Sequence, residues 1–155
     1  MRKSSKHVNL AHSRSGDYKK LLYKINTDNV CPFCELNLKK YHTEPILKEG
    51  KYWLITTNQN PYNGLKHHIL IICKRHIETI SEINKNESIE LISLSGWVNT
   101  QFKINGGVLM IRFGNTDYTG ASVTHLHGHI VSGGKRHKDT KSIKIKLGYK
   151  IARRK

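Results

Sequence analysis

Acidic side chains are scarce in this chain. Its 155 residues hold 11 Asp and Glu against 27 Lys and Arg, a formal net charge of +16. That balance favours polyanions as partners, whether nucleotide phosphates, nucleic acid or acidic lipid headgroups. Charge alone names no ligand, and a generic solubilising role fits it equally well. The excess sits at the ends. Residues 1–24 carry seven Lys/Arg and one acid, residues 134–155 carry ten and one, and the stretch between is nearly neutral. Long apolar runs are missing as well: none approaches the roughly 20 residues of a membrane-spanning helix. The opening MRKSSKHVNLAHSRSG lacks the apolar h-region of a secretory signal. Its Arg and Ser content is shared by organelle transit peptides, though nothing further supports that reading. Cysteine is sparse. Three residues leave one unpaired, which argues against a disulfide framework and for a reducing, cytoplasmic setting. Repeats and low-complexity blocks are absent, and the length suits one domain.

The periodicities predict an α+β fold, a mainly antiparallel sheet with flanking helices. Asp17 is placed to cap a helix whose Tyr18, Leu21, Leu22 and Ile25 share a face. EPILKEGKYWLITTN reads as two short strands around Glu49-Gly50, NQNPYNG as a loop, and Ile69 to Cys73 as a buried strand. Residues 86–103 read as a helix with Leu91, Leu94, Val98 and Phe102 on one stripe, stopped by Asn105-Gly106-Gly107. VLMIRF and SVTHLHGHIV read as strands joined by GNTDYTGA, and IKIKL as an edge strand.

In SVTHLHGHIV, His125, His127 and His129 stand at alternate positions. On a strand they share one face at roughly 6–7 Å spacing, with Leu126, Gly128 and Ile130 opposite. Gly128 removes bulk and permits close approach of another backbone. Three imidazoles make a poor core face, since each needs a polar partner once buried. Two functional readings remain: a metal site of alternating histidines, or a nucleophile with flanking assistants. Cys31-Pro32-Phe33-Cys34 adds a Cys-x-x-Cys pair suited to zinc or redox chemistry, and zinc would need two histidines from distant segments. No thioredoxin-like pattern surrounds the pair, which disfavours redox use. Cys73 reads as inert packing.

Together these residues resemble the histidine-triad (HIT) superfamily. HLHGHIV is similar to its signature, NPYNGLKHHILIICKRHIETI to its second block, and Cys31-Pro32-Phe33-Cys34 to its zinc-binding members. The resemblance covers residues 17–133 as a HIT-like domain. It leaves residues 1–16 and 134–155 as basic terminal segments. It implies a structural zinc held by Cys31, Cys34, His76 and His125, with His127 as nucleophile toward an α-phosphorus. His129 and Ser122 would assist at the phosphate or leaving group. It also implies Asn60 at the ribose and Phe33 and Leu36 around the base, although Asn60 equally fits as a turn-former and the other two as core. Arg112 and Asn115 would face phosphate, Asn115 standing one residue from the family's asparagine position at Gly114. Two departures stand out: Ala121 where relatives often carry glutamine, and Cys73 where they often carry proline.

The implied activity is hydrolysis of diadenosine polyphosphates or nucleoside phosphoramidates with release of AMP, by a homodimer. The retained third histidine favours hydrolysis over the transfer of relatives that carry glutamine there. Removal of AMP from adenylated nucleic-acid ends is the second enzymatic reading, motivated by the basic termini and weakened by the lack of an appended zinc finger. A nucleotide or nucleic-acid binding module without turnover is a third. A zinc hydrolase using all three histidines as ligands is a fourth, opposed by the lack of a nearby carboxylate base.

Overall fold

The computed structural model describes residues 6–14 and 16–152. Of the two basic segments, residues 1–5, Ser15 and residues 153–155 lie outside that description. Five strands form one antiparallel sheet: β1 (Ile46–Glu49), β2 (Trp53–Thr57), β3 (His67–Cys73), β4 (Val108–Arg112) and β5 (His127–Ser132). Their spatial order is β1-β2-β3-β5-β4. Three helices accompany it: α1 (Asp17–Asp28), α2 (Glu35–Tyr41) and α3 (Lys85–Gln101). The expected α+β architecture is present.

The sheet has two apolar faces, and each strand serves both by alternation. Ile69, Ile71 and Cys73 of β3 join Trp53, Ile55 and Ile130 against Leu91, Leu94 and Val98 of α3. Leu54, Leu70 and Ile72 point the other way, toward Leu38 of α2. A strand apolar on both faces therefore appears in the sequence as the unbroken run Ile69 to Cys73. Burying each of these large side chains stabilises the fold by roughly 1.5–3 kcal/mol. A third cluster joins Leu22 and Ile25 of α1 to Tyr41, Val8 and Val123.

The helix starts show how local chemistry sets boundaries. At α3, the Asn84 side chain accepts from the Glu87 amide and the Glu87 carboxylate accepts from the Asn84 amide, a reciprocal cap. Buried Glu87 also binds Arg75 at 2.9 and 3.0 Å, which ties the helix to the segment bearing His76. At α1 the expected cap is displaced. Gly16 holds the N-cap at φ 74°, a backbone that suits glycine, and Asp17 is the first helical residue, paired with Lys20 at 3.1 Å.

Three further expectations change. α2 was not foreseen: its seven residues bury only Leu38 and Tyr41, too few for a readable period. The strand expected over 122–131 begins only at His127, because its partner β3 ends at Cys73 and pairing stops at Ile72 opposite His127. IKIKL forms no strand. It crosses the domain unpaired, its Lys146 carbonyl accepting from the Arg112 guanidinium at 2.8 Å, where an edge strand would pair with backbone. Residues of both basic segments lie against the domain. Val8 bridges Val123 at one end, and Tyr149 Oη lies 2.7 Å from His12 Nε2 at the other.

Candidate active site

Antiparallel register places the histidines. His127 stands opposite Ile72 and Arg112, and His129 opposite Leu70 and Met110. Both imidazoles therefore share the sheet face away from α3, with ring centroids 5.0 Å apart. Gly128 and Ile130 occupy the α3 face as expected. The space above Gly128 is taken by side chains, not backbone: a Cβ there would lie 2.8 Å from Ile71 Cγ2 and 3.3 Å from Ile111 Cγ1. His125 precedes the strand, yet Phe33 meets edge-on both its ring, at 6.2 Å, and that of His127, at 4.9 Å.

Facing His127 and His129 is a pocket of about 300 Å³. Its apolar wall comes from α1, whose Leu21, Leu22 and Ile25 continue toward Phe33. Tyr18, on the same helix face, donates from Oη to Ser122 Oγ at 2.7 Å. Asn60, Ser122, Phe33 and Arg112, all singled out from sequence, line this pocket together with both histidines. Leu36 does not. It is 97% exposed at the start of α2 and takes part in neither pocket nor core. Asn115 is also apart from the pocket, its side chain accepting from the Asp117 amide to cap a 3-10 turn.

Sequence reasoning missed four contributors. His68 lies on β3 with Nε2 2.9 Å from His129 Nδ1. Tyr62 packs on His68 at 4.6 Å and on His129 at 6.1 Å. Arg14 stands over the rings of Tyr18 and Tyr62 at 4.7 and 5.2 Å and donates to the Asn60 carbonyl. Tyr18 was read only as a helix face. For His68 the signal was its place two residues before Leu70, which puts it on the histidine side of the sheet once the register is known.

A backbone hydrogen bond fixes the proton position on His127. His127 Nδ1 lies 2.7 Å from the His125 carbonyl, so Nδ1 carries the proton and Nε2 keeps its lone pair. The Tyr62 amide donates to His68 Nδ1 at 3.2 Å, while Asn58 Nδ2 and His129 Nδ1 lie 3.1 and 2.9 Å from His68 Nε2. Burial, with a smaller contribution from Arg112, lowers the His127 pKa to about 4. Burial, then Arg14, Arg112 and His127, lowers His68 to about 4, and burial holds His129 well below its ordinary value. Near neutral pH the row consists of uncharged imidazoles, available as nucleophiles and hydrogen-bond donors. Arg112 donates to Tyr62 Oη at 3.0 Å, and its buried Nε has no acceptor among the described residues.

Beside the pocket Cys31, Cys34, His76 and His125 converge, their donor atoms within 4.8 Å of one another. Tetrahedral zinc, with Zn–N of about 2.0–2.1 Å and Zn–S of about 2.3 Å, sets donors about 3.3 Å (N–N) to 3.8 Å (S–S) apart. Observed separations are 3.2 Å for His76 Nδ1 to His125 Nδ1 and 3.3 Å for Cys31 Sγ to His125 Nδ1. Cys34 Sγ lies 3.4 Å from His76 Nδ1 and 3.8 Å from His125 Nδ1. The outer nitrogens are also engaged: His125 Nε2 lies 2.6 Å from the Cys73 carbonyl and His76 Nε2 3.3 Å from Glu78. Both contacts leave Nδ1 as the free ligand, so the donor set fits the metal. Burial raises the Cys31 thiol to about 12.

Fold and site define an α+β protein organised around a row of histidines on an antiparallel sheet. The HIT domain family model matches residues 40–136, more than half of the chain, and the chain belongs to that family. No curated protein sequence matches it. Among solved structures it is similar to a HIT family hydrolase from Clostridium thermocellum, at 28% identity and TM-score 0.54, over 73% of this chain and 96% of that one. A Hit-like protein gives 26% identity and TM-score 0.53, over 63% and 93%. A zinc-bound histidine triad family protein from Mycobacterium smegmatis shares the fold at 18% identity and TM-score 0.54, over 76% and 81%.

Proposed function

We propose that the protein is a hydrolase that cleaves a nucleotide at its α-phosphorus through a nucleotidyl intermediate on His127. The observation that carries this reading is the His127 imidazole itself, neutral, with Nδ1 held by the His125 carbonyl. Its Nε2 lone pair attacks the α-phosphorus, a P–N bond forms, and the bond to the leaving group breaks with its electron pair. His129, beside it on the same face, donates to the departing atom or a phosphoryl oxygen. Water then attacks phosphorus, the P–N bond breaks back to His127, and the nucleoside monophosphate leaves. Ser122, oriented by Tyr18, and Arg112, with its unmatched buried N–H, suit the phosphoryl oxygens. Asn60 suits the ribose hydroxyls, and Phe33 with the α1 wall suits the base.

Cys31, Cys34, His76 and His125 would hold a zinc whose chemistry is structural: four protein ligands close the shell and leave no position for water. Diadenosine polyphosphates and nucleoside phosphoramidates are the substrates proposed, with AMP as product. The exposed Val108 and Leu109 on edge strand β4 support a homodimer. Three free cysteines, and no helix among the described residues long and apolar enough to cross a membrane, accord with a cytoplasmic setting.

The test is AMP release from a diadenosine polyphosphate, an adenosine phosphoramidate and a 5′-adenylated oligonucleotide by wild type and His127→Ala. The variant is expected to lose at least about 10³-fold in turnover while still binding AMP. Equal release by both proteins, or none by wild type, refutes the assignment.

A further inference from the structure

Four cations line the pocket, Arg14, Arg112, Lys144 and Lys146, and no Asp or Glu is among the lining residues. Two of the four belong to the C-terminal stretch that sequence reading set outside the domain. That stretch has no helix or strand, but it is pinned at defined points. Arg112 holds the Lys146 carbonyl at 2.8 Å, and Tyr149 Oη meets His12 Nε2 at 2.7 Å. His12 Nδ1 in turn lies 2.7 Å from the Ala121 carbonyl, beside Ser122. The passage is close: a Cβ on Gly148 would fall 2.8 Å from the Tyr118 carbonyl, and one on Gly120 3.2 Å from Lys146. Arg112 is the cross-strand partner of His127, so its grip on Lys146 sets the strap beside the histidine row. Lys144 also lines an adjoining recess with Arg14, Tyr18, Asn60 and Tyr62, where Asp17 is the one acidic side chain.

We propose that the segment 143–149 is part of the binding site, a strap whose Lys144 and Lys146 select substrates carrying several negative charges beyond the α-phosphate. The inference rests on the hydrolase reading of the same pocket and names its substrate class. A pocket with four cations and no carboxylate is wasteful for a leaving group as small and uncharged as ammonia. It is well matched to a polyphosphate chain or to the phosphodiesters of an oligonucleotide end, which share that chemistry. Lysine presents a point charge on a flexible stem, suited to a charge of variable position.

The test compares wild type with Lys144→Gln/Lys146→Gln and with Tyr149→Phe, which removes the His12 pin and leaves the Arg112 grip on the Lys146 carbonyl. Lys135→Gln/Lys138→Gln, on the exposed stretch away from the pocket, serves as control. Thermal melts establish that each is folded. The ratio of kcat/KM for diadenosine tetraphosphate to that for adenosine phosphoramidate should fall by about tenfold in the double variant. It should also fall in Tyr149→Phe and hold in the control. A 5′-adenylated oligonucleotide in parallel assigns the charge to a polyphosphate or a nucleic acid, according to which ratio falls further. A binding arm stands apart from turnover. In a His127→Ala background, the affinity for ATP over AMP should drop by a similar factor when both lysines are replaced. Loss of the binding preference without any hydrolysis by wild type would sustain the strap while refuting the hydrolase. Unchanged ratios in both arms, or equal losses on every substrate, would overturn the proposal.

Discussion

Removing the proposed zinc, by chelation or by Cys34→Ser, separates a structural from a catalytic role for its site. The ligands are far apart in sequence: 42 positions separate Cys34 from His76, and 49 separate His76 from His125. In the chain-entropy treatment of cross-links, closing a loop of about 40–50 residues constrains the unfolded chain by about 4 kcal/mol. Hydrophobic contacts close part of the same loops, so about 4 kcal/mol is the expected total loss and not the sum of two. Emptying the site strands no charge on its two buried members, because burial keeps the Cys31 thiol protonated and His125 neutral. The apo protein should therefore stay folded at low temperature, with Tm lowered by roughly 10–15 °C. The assay pairs metal content and calorimetric Tm with AMP release at 15 °C, where the apo form remains native. Turnover should fall by no more than about tenfold. Complete loss of turnover in a protein still folded would refute the structural role, and an unchanged Tm would refute the site as a cross-link.

Gly128→Ala places a Cβ 2.8 Å from Ile71 Cγ2 in a filled core, and should cost roughly 1–3 kcal/mol by urea denaturation; a neutral result would contradict the packing described. Glu87→Ala removes a buried carboxylate that binds Arg75 and the Asn84 amide. Because Arg75 is half-exposed and can rehydrate, the expected loss is about 2 kcal/mol by denaturant midpoint, and a loss under about 0.5 kcal/mol would show the cap and ion pair to be idle. His68 has a folded pKa of about 4 against about 6.5 unfolded, so below pH 6.5 the unfolded chain binds the extra proton and stability falls as pH drops toward 4. Allowing for solvent at the pocket mouth, His68 contributes about 2 kcal/mol of that fall. Urea midpoints from pH 7.5 to 4.5 should therefore decline less steeply in His68→Asn than in wild type; parallel slopes would remove His68 as a source.

What the sequence showed and what it hid follow from the range of the interactions. Strand alternation and helix periodicity are local, so β2, β3, β4 and α3 could be read to within a few residues. The row of His127 and His129 was readable for the same reason. Hidden features depend on contacts across the fold. His68 and His129 are 61 positions apart and meet only because β3 pairs with β5 in one register. α2 lacks a periodic face, since Leu36 points to solvent. IKIKL has the alternation of a strand but runs along neither sheet edge, and the Arg112 guanidinium holds it instead. Leu36 and Asn115 had been placed by analogy of position, and position in sequence does not say which way a side chain leaves the backbone.

His125 shows why the cysteine–histidine cluster and the pocket belong to one device. Its imidazole is held on one side by the Cys73 carbonyl and on the other stands among the sulfurs of Cys31 and Cys34. Its own carbonyl accepts the Nδ1 proton of His127. A side chain anchored at both nitrogens fixes its backbone, and that backbone selects the tautomer of the neighbouring imidazole. Strand pairing alone does not supply this constraint, because β5 begins one residue after Leu126 and leaves His125 outside the ladder. The early end of β5 therefore has a physical use. It frees His125 to reach the cysteines while its carbonyl still reaches along the chain to His127. A metal so placed would act on the chemistry through geometry alone, so its removal should loosen the His127 tautomer and lower turnover by a modest factor, not abolish it.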